Sequence, residues 1–410
     1  MKNILYIAYD GMTDPLGQSQ VLPYISGLSK LGYQFTLISC EKPERDTQEN
    51  RALIQSICDA HNIDWHPLVY TKKPPVLSTL KDIRNIKKKT FELHRKKQFS
   101  MVHCRSYIPA MVGLQLKQKF GVKFLFDMRG FWADERVDGN IWKLSNPIFK
   151  GIYKYFKRKE LAFFEHADHV ISLTENGKQE IHSWKRITNN PRPTTVIPCC
   201  ADMDLFNYQA VQKQEIEKQK KALCIPAEAQ VVSYLGSVGT WYMADEMLDF
   251  FVVYKKRHPD AVFLFITPDA KEYIHRLCAA KDIDLNSVFV KRAQRNEVPA
   301  LASISTFSLF FIKPAYSKKA SSPTKQGELM GLGIPIVCNS GVGDTAEIVR
   351  KYKSGVVVDA FNDLAYEAAI TEIEKLNFEA ETLRAGALDY FDLELGVQRY
   401  AGVYKELIGE

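Results

Sequence analysis

Short apolar runs alternate with longer amphipathic stretches along almost the whole chain. The first run is Asn3 to Tyr9, NILYIAY; after the loop DGMTDPLGQS comes a stretch with Val21, Leu22, Ile25 and Leu28 at helical spacing, and after Gly32 the run Phe35 to Ser39. Apolar runs of this length bounded by turn residues predict buried strands, and i, i+3, i+4 spacing predicts helices. Further strands are expected at 101–104, 123–128, 169–174 and 194–200. A polar segment from Asp202 to about Ala227 then interrupts the pattern, with helical character in KQEIEKQKKAL. The alternation restarts with a strand at 230–236, a helix at 244–257, a strand at 261–267, a helix at 270–281, a strand at 287–291, a helix from Glu297 and a strand at 308–313. Strands alternating with helices predict an α/β fold with parallel sheets. A chain of 410 residues exceeds one ordinary core. The expectation is two doubly wound, Rossmann-like domains facing each other across a cleft. Residues 1–205 form the first, 206–385 the second, and 386–410 an amphipathic helix able to pack back on the N-terminal domain.

Composition is that of a globular protein, with 46% hydrophobic and 25% charged residues. The opening MKNILYIAYDG has the pattern of a first strand rather than of a signal peptide, and no apolar run approaches the ~20 residues that span a bilayer, so a cytoplasmic location is expected. Eight cysteines are scattered without C-x-x-C spacing and sit mostly in apolar runs, as reduced thiols do. No metal is expected, because Asp202-Met203-Asp204, the D-x-D that could hold one, follows a strand and suits a turn. The net charge of +7 hides an asymmetry: residues 1–200 hold 31 basic and 19 acidic side chains, the rest 24 and 29. Much of the excess lies in 81–99 and 149–164, where basic residues alternate with aromatic and aliphatic ones. That pattern fits either a solvated basic face or peripheral contact with an anionic membrane on its inner, cytoplasmic side.

The stretch with the densest chemistry is SSPTKQGELMGLGIPIVCNSGVGD, Ser321 to Asp344. Ser322 before Pro323 predicts a helix start, with serine as cap and proline at the first helical position. The free N–H groups of Thr324 and Lys325, the hydroxyls of Ser321 and Ser322 and the Lys325 ammonium would then converge on an anion. Glu328 follows one turn later, and a surface ion pair with Lys325 is the plainer alternative for it. Gly331 and Gly333 end the helix, IPIVC makes a strand, and Ser340 to Asp344 open a second helix, TAEIVRKY. The loop GSVGTWYM (236–243) offers Gly236, Ser237 and Thr240 to a ligand through an approachable backbone. The first crossover loop carries Gly11 and Gly17 without G-x-G-x-x-G, which excludes a dinucleotide cofactor there. In open α/β sheets ligands lie beyond the carboxyl ends of strands. His103, Arg105, Asp127, Arg129, Asp134, Glu135 and Arg136 are therefore candidate cleft residues, with an Asp127–Arg129 salt bridge as the structural alternative.

Four landmarks together resemble the family-4 retaining glycosyltransferases of the GT-B fold: the opening strand with its glycine loop, VIPCCADMDLF, GELMGLGIPIV and GVGDTAEIV. The resemblance spans nearly the full length, and the last two motifs are its most specific part. It implies a nucleotide-sugar donor on the C-terminal domain, an acceptor on the N-terminal domain and transfer with retained anomeric configuration. Glu328 resembles the glutamate that holds the donor ribose, and the backbone around Pro323 and Thr324, with Gly17 from the first domain, the diphosphate cradle. The family's E-x7-E pattern places a glutamate where this chain has Ala320. The basic residues common after the second-domain glycine are also missing, so Lys325 with Arg292 or Lys291 is expected to meet the phosphate charge. The family's N-domain histidine corresponds to His103 or is replaced by Arg105, and Arg129 is the further N-domain cation.

The expected activity is transfer of a sugar from a nucleotide-diphosphate sugar, used as substrate rather than cofactor, to a glycan, lipid-linked or small-molecule acceptor, as in polysaccharide biosynthesis. Fixed N–H donors and cations would stabilise the leaving diphosphate without a metal. The alternatives are a nucleotide-sugar epimerase or hydrolase on the same fold and a non-catalytic nucleotide-sugar-binding subunit. Nucleic acid is not an expected partner, since no reading motif accompanies the basic half.

Overall fold

The computed structural model describes residues 2–74 and 76–409. The chain divides into two compact units: one holds the chain up to Cys199, the segment Lys319–Ser321 and the chain from Leu393 onward; the other holds Cys200–Lys318 and Ser322–Asp392. In the first unit the strands are β1 (Asn3–Ala8), β2 (Gln34–Glu41), β3 (Asp64–Val69), β4 (Met101–Arg105), β5 (Lys123–Asp127), β6 (His169–Ser172) and β7 (Thr194–Val196). In the second they are β8 (Val231–Leu235), β9 (Val262–Ile266), β10 (Val288–Lys291), β11 (Phe307–Phe310), β12 (Ile336–Asn339) and β13 (Gly355–Val358).

The sheet orders are β3-β2-β1-β4-β5-β6-β7 and β10-β9-β8-β11-β12-β13, all parallel. Each chain path starts in the middle of its sheet, winds to one edge and returns to fill the other side. The switch points therefore lie between β1 and β4 and between β8 and β11, where an open α/β sheet has its ligand crevice. Central strands such as β8, VVSYL, and β9, VFLFI, are buried at every position, which is why they are continuous apolar runs rather than alternating ones.

Helices cover both sheets. Ala244–Arg257 buries Met247, Leu248, Phe250, Phe251 and Tyr254 and ends in Lys255, Lys256 and Arg257, the charge that suits a helix C-terminus. The last helix, Leu393–Ile408, belongs to the first unit and lies on the helix Leu22–Lys30. A Cβ on Gly27 would stand 2.7 Å from a methyl of Val397, so only glycine allows this approach.

Two strands fall outside the sequence expectation. β3 is a half-buried edge strand containing Pro67, and β13 has only four residues, the first of them Gly355, so neither makes a strong apolar run. Asp202 closes a turn, its Oδ1 accepting from the backbone N–H of Asp204 and Leu205 at 3.0 Å each. The cysteines are all free thiols, and only Cys224 is exposed.

Candidate functional site

The helix at the heart of the glycine-rich stretch runs from Thr324 to Gly331. Its start differs from expectation: Pro323 occupies the cap position and no side chain caps the helix, so Ser322 does not. The leading N–H groups consequently have no side-chain acceptor at this cap, the condition under which a helix N-terminus takes an anion.

Lys325 is buried, 7% exposed, with no hydrogen-bond partner for Nζ among the described residues. Nζ stands 3.8 Å from the ring centre of Tyr242, 4.3 Å from that of Tyr234 and 5.8 Å from that of Phe310. Tyr234 belongs to β8 and Phe310 to β11, so the ammonium lies at the switch point of the second sheet. Gly236, at φ +117°, leaves room for it, since a Cβ there would come within 3.0 Å of Nζ. Burial pulls the lysine down to about 7, with Glu328 opposing that shift. The aromatic faces stabilise the protonated form without hydrogen bonds, as cation–π contacts do. The loop after β8 is pinned from beneath: Asp269 accepts from the N–H of Val238 at 2.5 Å, and Tyr234 donates to the Ser237 carbonyl at 2.6 Å.

Glu328 is also buried, and its ion-pair partner is Arg295, whose guanidinium donates to Oε1 at 3.1 Å and lies 5.1 Å over the Phe206 ring. The surface pairing with Lys325 is thereby replaced. Burial raises the Glu328 carboxyl, and Arg295 and then Lys325 pull it back. Because the Arg295 side chain is 45% exposed, the pair adds little to stability; its effect is on the charge and orientation of the carboxylate.

In the first unit the charged residues converge at the ends of β4 and β5. Arg105 is the last residue of β4 rather than part of the following loop; it is buried and donates from Nε to Asp10 at 3.2 Å, across the switch point between β1 and β4. Asp127 ends β5, fully buried. Its Oδ2 accepts from Tyr400 at 3.0 Å and from His103 Nε2 at 3.3 Å, and its Oδ1 faces Arg129 at 3.8 Å. Burial works against this charge, but Arg129, His103 and Arg105 outweigh it and hold the carboxyl at about 2. His103 Nδ1 meets the Tyr404 hydroxyl at 2.7 Å. An ionised Asp127 can only accept, so Nε2 carries the proton and Nδ1 accepts from Tyr404. Both ring nitrogens are thus occupied, and burial lowers the histidine further. His103 has no nitrogen left for a substrate, and Arg105 and Arg129 are the cations at these strand ends. Tyr404→Phe leaves Nδ1 a buried unpaired acceptor; urea unfolding should show a loss of about 1–3 kcal/mol.

Ser106 and Arg129, the residues after β4 and β5, both have positive φ, +71° and +58°. Such backbone strain in non-glycine residues concentrates where function requires it. Asp134 accepts from Tyr153 at 2.8 Å and Lys157 at 2.7 Å. Gly17 is buried in a short helix, where a Cβ would fall 2.2 Å from the Gly11 carbonyl. That loop is held by Glu41, which accepts from the N–H groups of Met12 and Thr13 at 2.9 Å each. Ser237, Thr240 and Arg292 are exposed; Ser322 and Thr324 are half-buried.

Ala320 sits in the segment Lys319–Ser321 that joins the first unit, and it is fully buried. Thr174 donates to the Lys319 carbonyl at 2.7 Å, and a Cβ on Gly177 would lie 2.8 Å from that of Ala320. Position 320 is a packing position here, with no room for a carboxylate. Ser321, which shares the segment, likewise belongs to the first unit rather than the second.

The sequence matches the Glycosyltransferase Family 4 description over residues 19–205 and the Glycosyl transferases group 1 description over residues 215–387. The chain is a family-4 GT-B glycosyltransferase. No curated protein matches this glycosyltransferase. Its fold is shared with sucrose-phosphate synthase from Thermosynechococcus elongatus, at 15% identity, TM-score 0.75 and 99% of each chain covered. A glycosyltransferase from Rickettsia africae matches at 16% identity and TM-score 0.73, covering 99% of this chain and 98% of that one. HepE from Anabaena, solved in complex with UDP-glucose, matches at 16% identity and TM-score 0.67, covering 99% of this chain and 100% of that one. The two doubly wound domains of the glycosyltransferase are the GT-B architecture.

Sequence reasoning missed Arg295 as the partner of Glu328 and Tyr400 and Tyr404 as partners of Asp127 and His103. Arg295 lies 33 positions from Glu328 and Tyr404 301 from His103, beyond any local spacing signal.

Proposed function

We propose that this glycosyltransferase binds a nucleotide-diphosphate sugar in its second unit and transfers the sugar, with retention and without a metal, to a glycan or lipid-linked acceptor. The observation that carries the reading is Lys325, a buried cation without a counter-ion hydrogen bond, at a sheet switch point and on the first turn of an uncapped helix. A diphosphate would give Nζ its missing acceptors and meet the free N–H groups. Glu328, one turn further and oriented by Arg295, has the acceptor oxygens that ribose hydroxyls require. The UDP-glucose bound by HepE has this chemistry.

In the proposed step the bond between the sugar C1 and the phosphate oxygen breaks while the acceptor oxygen forms its bond to C1 on the same face. The acceptor proton passes to the departing phosphate oxygen. Lys325 and the helix N–H groups stabilise the charge that develops on the leaving group. Nuclear magnetic resonance of the first-formed product should show the anomeric configuration of the donor; an inverted product overturns retention.

Calorimetric titration with UDP, GDP and ADP selects the base. For the one that binds, Glu328→Gln should weaken affinity about 10- to 100-fold, the ~1.5–3 kcal/mol of a hydrogen bond to a charged group. Inorganic pyrophosphate should bind both proteins alike. Equal weakening of pyrophosphate would return Glu328 to a structural role, and failure of every nucleotide to bind would overturn the donor reading.

A further inference from the structure

No helix among the described residues is long and apolar enough to cross a membrane, yet the first unit carries a surface segment that combines exposed apolar and basic side chains. The helices Leu77–Lys97, Tyr107–Phe120 and Pro147–His166 pack side by side and share the core beneath them. Along the outer edge of this layer, residues 139–159 hold six basic side chains and no acidic one. Within the same segment Ile141, Leu144, Ile148 and Tyr155 are exposed by 52, 38, 66 and 44%. Ile148 and Tyr155 are two turns apart on the helix and so share a face of it, and Lys143, just before the helix, and Lys150 and Lys154, on its other sides, are exposed in the same segment. Leu77 and Leu80, with Lys81 and Arg84, are likewise exposed on the helix Leu77–Lys97, across Tyr107–Phe120 from this segment.

A solvated basic face does not need three exposed branched aliphatic side chains, whose exposure is unfavourable in water. Nucleic acid would use the charge and leave the isoleucines and leucine uncovered. Charge and apolar insertion together fit one occupant, the boundary between anionic headgroups and acyl chains.

We propose that the 139–159 surface docks this protein on an anionic lipid bilayer, with Ile141, Leu144 and Ile148 inserted and Lys143, Lys150 and Lys154 against the headgroups. This deepens the lipid-linked acceptor reading but rests on none of the donor chemistry. In sedimentation with vesicles of phosphatidylcholine containing phosphatidylglycerol, the full chain should partition strongly at low salt and weakly onto phosphatidylcholine alone. A basic residue near such a surface contributes about fivefold in partition, so K143E/K150E/K154E should reduce binding by at least about 100-fold. I141S/L144S/I148S should reduce it at all salt concentrations, whereas the charge effect fades with salt. All six side chains are exposed, so unchanged thermal melts and unchanged nucleotide titration keep these losses specific to the surface. Vesicle binding indifferent to phosphatidylglycerol, or retained by both triple variants, overturns the proposal. So does a self-associated form in the absence of lipid that the serine variant abolishes, since that would assign the surface to a second copy of the chain.

Discussion

Lys325→Met is expected to lower kcat by about 10²–10³-fold, the effect of removing one preorganised donor from a developing anion. The variant should be no less stable than the parent. Methionine, one atom shorter than lysine, suits an aromatic cage and removes a charge whose burial is unfavourable. Two pH effects separate this site from an ordinary surface lysine. With the amine at about 7 in the free protein, a diphosphate must draw a proton onto Lys325. Affinity should therefore fall as pH rises above 7, by up to tenfold per pH unit, and the variant should lose that slope. Stability moves the other way. The folded-state pKa lies below the unfolded value of ~10.4, so between about 7 and 10 the unfolded chain holds more protons and stability rises with pH; below 7 this contribution is constant. Lys325→Met should flatten that rise in urea titrations at pH 7, 8 and 9. A pH-independent Kd in the parent protein would overturn the assignment.

Asp127→Asn is the second large effect, and it acts on folding. The carboxylate is buried against Arg129 and holds the hydrogen bonds of His103 and Tyr400. Neutralising it leaves a guanidinium in the core without its counter-charge, at about 3–5 kcal/mol. The pH signature follows from a carboxyl held at about 2, below its unfolded value of ~3.9. The stabilisation is fully present above about pH 5 and is lost as pH falls through 2, amounting to roughly 2.6 kcal/mol at ~1.4 kcal/mol per pH unit. The parent should therefore weaken between pH 4 and 2 more steeply than the variant. An Asp127→Asn protein as stable as the parent at pH 7 would show that Arg129 draws its compensation from elsewhere.

Much of the fold is legible because it is written in local periodicity. Apolar runs between turn residues mark β1, β2, β4, β5, β8, β9 and β11, and the break after Asp202 separates the two strand–helix series. β3 and β13 escape because an edge strand with a proline and a four-residue strand bury too little to leave a run. At the site, the uncapped start at Thr324 corrects the Ser322 cap: Pro323 is one position earlier than expected, a shift that sequence signals do not resolve.

The stretch from Ser321 to Asp344 shows where the sequence stops. By itself the sequence determined a short helix with a lysine and a glutamate one turn apart, followed by a buried strand and a glycine turn. Only the tertiary structure decided that Lys325 is caged by three rings without a hydrogen bond, that Glu328 pairs with Arg295, and that Ala320 is a packing residue of the first unit. The reason is that charge state and partnership depend on burial and on side chains far away in the chain. Periodicity specifies which face of an element turns inward, and it carries no record of what waits there.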